Sequence, residues 1–193
     1  LWNLISLPVG IANRFKDSVF PHSISNAFGY NGAYYTLDSL SPGAGYWLKF
    51  DSARTIELTG TTISAETIDV TDSWNLIGSI STTLPVASLS SDPPGLIISS
   101  VFGYEGSYVT ADKIIPGKGY WAKTNGSGKI IMSSSSAVPK SSSSVASDLA
   151  RMNSLTLVDQ AGRRQTLYFG LSDDIRRPLS FFDLPPVPPQ GGF

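Results

Sequence analysis

Reactive side chains are scarce in this chain. It carries one histidine, His22, directly after Phe20-Pro21, and no cysteine. A Ser-His-Asp relay would have to be built on that single imidazole, and no spacing supplies it with an acid partner. Disulfides, thiolate sites and multi-histidine metal sites are excluded by composition. The carboxylates Asp69, Asp72, Asp173 and Asp174 are the hard-oxygen type that holds calcium. None falls into the D-x-[DN]-x-[DN]-G loop, so turn and strand-end roles fit them better. Gly43-Ala44-Gly45 precedes a strand rather than a helix N-terminus and is not a phosphate loop. These residues predict no enzyme, no cofactor and no metal.

The aromatic residues are the better candidates for contact chemistry. Tyr30, Tyr34, Tyr35, Tyr104 and Tyr108 flank two predicted hairpin tips, where Tyr30, Tyr34, Tyr104 and Tyr108 could stack on a glycan. Trp2, Trp47, Trp74 and Trp121 read differently. They occupy equivalent positions in a repeat, which marks packing rather than ligand binding. Asn125-Gly126-Ser127 is an N-x-S sequon on a predicted turn, and Ser141 and Ser142 lie in a Ser/Pro-rich stretch. Asn125, Ser141 and Ser142 are therefore candidate glycosylation sites, beside the plainer reading as a turn and a polar linker.

The chain has 193 residues, a net charge of −1 and 15% charged residues. That length buries a real core, and the charge gives no basic surplus for nucleic acid. No run of 18 apolar residues predicts a membrane span. The basic doublets Arg163-Arg164 and Arg176-Arg177 sit in a block whose acids balance them, so salt bridging is the sensible role.

These residues are positioned by an internal repeat. Trp2-Asn3-Leu4-Ile5-Ser6 recurs as Trp74-Asn75-Leu76-Ile77-Gly78, offset by 72. Phe28-Gly29-Tyr30-Asn31-Gly32-Ala33-Tyr34 recurs as Phe102-Gly103-Tyr104-Glu105-Gly106-Ser107-Tyr108, offset by 74. Pro42-Gly43-Ala44-Gly45-Tyr46-Trp47 recurs as Pro116-Gly117-Lys118-Gly119-Tyr120-Trp121. Asn31-Gly32 predicts a type I′ hairpin turn, which needs positive φ at both residues. The Pro-Gly pairs predict type II turns. Strands are expected over 46–50 and 55–58, and again over 120–124 and 129–132. No helical period exceeds about two turns.

Past residue 133 the composition changes. Residues 133–147 hold nine serines with Pro139 and Lys140, a linker by composition. Residues 154–158 and 163–169 alternate around Asp159-Gln160-Ala161-Gly162, a hairpin signature. Residues 184–193 are rich in Pro and Gly, which predicts an extended or polyproline segment lying on something. The expected fold is all-β: module 1 over 1–63, module 2 over 64–133, a linker over 134–150, and a C-terminal hairpin block with an extended Pro-rich tail over 151–193.

The W-N-L-I-S, F-G-Y-N-G and P-G-x-G-Y-W motifs resemble β-repeats near the C-termini of large secreted bacterial surface proteins. Leu155-Thr156-Leu157-Val158-Asp159, Gln165-Thr166-Leu167-Tyr168-Phe169-Gly170 and Phe182-Asp183-Leu184-Pro185-Pro186-Val187-Pro188-Pro189 are similar to the segments C-terminal to the repeats in those proteins. The resemblance implies an exported protein, extracellular or at the cell surface. It also implies a partly immunoglobulin-like block of the sorting type used in type-nine secretion.

One asymmetry predicts assembly. Glu66-Thr67-Ile68-Asp69-Val70 leads into Trp74, whereas only Leu1 precedes Trp2. If the modules are equivalent, module 1 has an open edge over residues 1–7. Another copy could fill it by β-strand addition, which yields rings or open filaments. The expected interface residues are Leu1, Trp2 and Leu4 at the edge, and Leu155, Leu157, Leu167 and Phe169 as donors. Phe181, Phe182 and Phe193 are the expected anchors of the tail. The leading expectation is a structural filament subunit whose partners are other copies of itself. A carbohydrate-binding surface module and an inert stalk or sorting region are the alternatives.

Overall fold

The computed structural model describes residues 1–135, 152–162, 164–170 and 183–189. The chain is all-β. Module 1 contains β1 (Trp2–Ser6), β2 (Val9–Gly10), β3 (Ala27–Tyr30), β4 (Tyr34–Leu37), β5 (Gly45–Lys49) and β6 (Thr61–Thr62). A single helical turn, α1 (Lys16–Val19), lies between β2 and β3. Module 2 contains β7 (Ala65–Val70), β8 (Ser73–Ile77), β9 (Leu84–Pro85), β10 (Ser90–Asp92), β11 (Phe102–Tyr104), β12 (Tyr108–Thr110), β13 (Lys113–Ile114), β14 (Tyr120–Thr124) and β15 (Gly128–Ser133). A hairpin of β16 (Asn153–Val158) and β17 (Arg164–Phe169) completes the described strands.

Each module builds the same four-stranded sheet, β1-β5-β3-β4 in one and β8-β14-β11-β12 in the other. The period-2 alternation of strands explains the layering. Tyr46 and Leu48 of β5 point into the core of module 1, while Trp47 between them points to the opposite face. Tyr120 and Ala122 of β14 point into the core of module 2, with Trp121 on the opposite face. The two outer faces meet over a shared cluster of Leu4, Trp47, Trp74, Leu76 and Trp121, giving a sandwich-like arrangement.

The contacts across this seam are reciprocal. Gly78 N–H donates to Gly43 C=O (2.7 Å), and Ser6 N–H donates to Gly117 C=O (2.9 Å). Isolated bridges pair Ala44 with Ile77 and Ile5 with Lys118. Gly45 and Gly119 are glycines for the same reason. A Cβ would lie 2.6 Å from the Ile77 carbonyl oxygen in one case and 2.7 Å from that of Ile5 in the other. The chain is thus a pseudo-dimer folded on an approximate twofold axis, with an isologous interface.

Two local expectations need correction. The Asn31-Gly32 turn is not type I′. Tyr30 pairs with Tyr34, so the loop has three residues and only Gly32 (φ +95°) is left-handed. That register sets the Tyr30 and Tyr34 rings edge to face at 5.2 Å, an arrangement that pairing Tyr30 with Ala33 would forfeit. The loop at Gly106 repeats it, with Tyr104 opposite Tyr108. Residues 55–58 do not form a strand, although β15 forms at the equivalent positions 128–133. β15 is flanked by β10 and β7. Residues 54–60 have neither neighbour. The stretch matching β10 is replaced by α1 in a connection two residues shorter, and no counterpart of β7 lies beside them among the described residues.

Candidate binding and assembly surfaces

Two surfaces grow out of the pseudo-twofold axis. The first is a crevice on the axis itself. Trp47 and Trp121 form its floor, both 0% exposed. The walls are exchanged between modules. Tyr30 and Tyr34 of module 1 pack edge to face on Trp121, at 5.0 and 6.4 Å between ring centroids. Tyr104 and Tyr108 of module 2 pack on Trp47 at 4.7 and 6.4 Å. Lys49 lies over Trp2 and Lys123 over Trp74, each 5.7 Å from the ring. The Tyr34 hydroxyl faces the Trp47 indole and the Tyr108 hydroxyl faces that of Trp121. Among the described residues, neither indole N–H has an acceptor in hydrogen-bond geometry.

Residues 183–189 lie in this crevice. The Tyr34 hydroxyl donates to the Val187 carbonyl (2.7 Å), and the Tyr108 hydroxyl donates to the Pro186 carbonyl. Lys123 Nζ pairs with Asp183 Oδ2 at 2.7 Å. Pro185, Pro188 and Pro189 are buried, while Leu184 and Val187 point outward. Burial at 185 and 188 with exposure at 184 and 187 fits a three-residue spacing such as polyproline II has, and Pro189 beside Pro188 is buried as well. Burial pushes both phenols well above the ordinary tyrosine range, opposed in part by the facing indoles.

The four tyrosines expected at hairpin tips are therefore half-buried walls of a crevice, with two hydroxyls engaged by the chain's own tail. The tail is held by prolines. Phe181, Phe182 and Phe193, expected as its anchors, lie outside the described residues, as do Ser141, Ser142, Asp173, Asp174, Arg176 and Arg177. Asn125 is exposed in the β14–β15 turn. His22 is exposed, and no cluster of three or more His, Cys, Asp or Glu side chains is placed to hold a metal among the described residues. No described helix is long and apolar enough to cross a membrane.

The second surface is a groove of about 460 Å³ on module 1. Its lining includes Leu1, Asn3 and Ile5, Arg54, Ile56 and Leu58, and Pro116, Gly117 and Lys118 of module 2. The repeat identifies what occupies the matching place in module 2. Ile77, Ile130, Met132 and Gly43 are the equivalents of Ile5, Ile56, Leu58 and Gly117, and β7 lies among them. Ile68 and Val70 of β7 pack on the core that holds Ile77, Ile130 and Met132. A Cβ on Gly43 would strike Glu66 Cγ at 2.7 Å, whereas one on Gly117 would meet nothing within 4 Å. Ile130 and Met132 are 0% exposed under β7, and Ile56 and Leu58 are only half-buried.

The groove runs along the β1 edge expected over residues 1–7, with Leu1, Asn3, Ile5 and Ser6 in its lining. The β1 edge expected over residues 1–7 is capped at its far end, where Ser6 N–H reaches Gly117 and Gly119 N–H reaches the Leu4 carbonyl. Leu4 is buried in the shared cluster and Trp2 packs on Phe28 and Trp47. Leu1 alone of that set stays exposed, at the rim of the groove. Among the described residues, backbone outside any ladder also runs along 54–60, a segment that counting back from β15 by 74 would have marked. The expected donors are all exposed. Leu155, Leu157, Leu167 and Phe169 share one face of the β16–β17 hairpin, which forms a ladder only with itself among the described residues. Comparisons with family models, with curated proteins and with solved structures give no match.

Proposed function

We propose that this chain is a non-enzymatic structural subunit, extracellular or at the cell surface, that assembles with further copies by β-strand complementation. The observation that carries this reading is the exposed apolar face of the β16–β17 hairpin, Leu155, Leu157, Leu167 and Phe169, together with a groove that the described residues leave open on module 1. The acceptor is the groove of module 1 together with the bare backbone of 54–60. The donor is the β16–β17 hairpin of a second copy. Leu155 and Leu157 have the i, i+2 spacing of Ile68 and Val70, and a two-stranded ribbon with exposed faces gains most from being covered. Donation of this kind is heterologous, so it propagates into a filament unless the geometry closes a ring.

The test is light scattering and negative-stain imaging of the full chain beside Leu155→Asp with Leu157→Asp. Both leucines are exposed, so the variant keeps its fold, which far-ultraviolet dichroism checks. Fibres from the parent and monomers from the variant are expected. A parent that stays monomeric at high concentration, or fibres indifferent to the two aspartates, would overturn the proposal.

A further inference from the structure

We infer that the aromatic crevice is a receptor for proline-rich segments in the polyproline II conformation that carry an acidic residue two positions before the first proline, and that it accepts them in either chain direction. The inference rests on the crevice alone and is independent of the strand groove. The chain's own residues 183–189 show the chemistry. A polyproline II segment has no internal hydrogen bonds, so its carbonyls are free for outside donors, and Tyr34 and Tyr108 supply two. Proline rings are compact and apolar and fix the backbone φ before binding, so an aromatic-lined slot holds them at little ordering cost. Asp183 then sets the register through Lys123.

The second half of the inference comes from symmetry. The receptor is twofold: Tyr34 and Tyr108, Trp47 and Trp121, Lys49 and Lys123 are exchanged by the axis. The bound segment is not. A polyproline II helix nevertheless presents similar ring edges and carbonyls when reversed, because its residues rise about 3.1 Å each and every third one returns to the same side in both directions. A reversed segment brings its acid to Lys49, which is exposed and makes no ion pair among the described residues. The charge beside each tryptophan therefore reads direction, and the rings read proline content.

The test uses the full chain with its own tail disarmed by Pro185→Ser and Pro188→Ser. A fluorescent peptide of residues 183–190 is titrated and its anisotropy followed. Saturable binding is expected, lost when the peptide carries the same two serines. Tyr34→Phe with Tyr108→Phe keeps the rings and removes two hydrogen bonds, so affinity falls roughly tenfold or more. Lys123→Ala weakens this peptide and spares the reversed sequence. Lys49→Ala does the opposite. Binding that ignores the prolines, or equal effects of both lysines on both peptides, would overturn the inference. So would displacement of the peptide by an oligosaccharide with none by excess unlabelled peptide, which would give the crevice to glycans.

Discussion

Module 1 and module 2 share a sheet, a turn, a common aromatic cluster and a lysine-capped tryptophan, yet only module 2 has the second sheet β10-β15-β7 among the described residues. Residues 55–60 keep the alternation of a strand, with Ile56 and Leu58 inward and Thr55, Glu57 and Thr59 outward. They still form no ladder. Alternation chooses which side chains turn inward, while a strand exists only where a neighbour receives its amides. In module 2 that neighbour is β7, paired with β15 over residues 65–70. In module 1 the same place is a groove.

The widest effect expected concerns what the modules share. Trp47→Ala and Trp121→Ala each remove a 0%-exposed ring from the seam, and each is expected to cost about 3–5 kcal/mol in denaturant unfolding. Near-equal losses support the twofold seam. A twofold or greater inequality would break it.

The next comparison separates the modules. Ile130→Ala opens a cavity in a closed core and is expected to cost about 2–5 kcal/mol. Ile56→Ala, at the equivalent position facing the groove, is expected to cost about 1 kcal/mol. Unfolding of the monomer at low concentration measures both.

A smaller and sharper contrast lies in the turns. Gly43 (φ +80°) and Gly117 (φ +83°) carry the same left-handed penalty on change to alanine, about 1–2 kcal/mol. Gly43→Ala adds the clash with Glu66, so it is expected to be the costlier of the pair in thermal unfolding. Equal costs would remove the contrast on which the acceptor groove rests.

The smallest effect is symmetric again. Burial raises the phenol pKa of Tyr34 and Tyr46 in module 1 and of Tyr108 and Tyr120 in module 2. A raised folded-state value favours the neutral phenol. The associated stability is complete below the unfolded value of about 10 and is lost as pH climbs above it toward the folded values. Spectrophotometric titration is expected to show these four tyrosines resisting ionisation until the fold opens, two from each module.

Much of this architecture was legible as sequence. The repeat announced two like modules, the alternation gave most strand positions, and Pro185-Pro186-Val187-Pro188-Pro189 announced a polyproline segment seeking a surface. Three features were not legible. The Tyr30–Tyr34 register depends on an aromatic contact that a two-residue turn rule does not weigh. The strand at 55–58 depends on partners elsewhere in the chain. The crevice depends on folding one repeat against the other, so that tyrosines of one module wall in the tryptophan of its twin. Equivalent tryptophans did signal packing, but a repeat spacing does not say that the packing lies between the repeats.

Hydrogen exchange at residues 55–60 tests the acceptor groove most directly. In dilute monomer these amides are expected to exchange quickly while those of 128–133 are protected, because only the latter have ladder partners. In concentrated, assembled material the amides of 55–60 are expected to become protected and those of 128–133 to stay as they were. Fast exchange at 55–60 in the assembled state would contradict strand complementation at this groove.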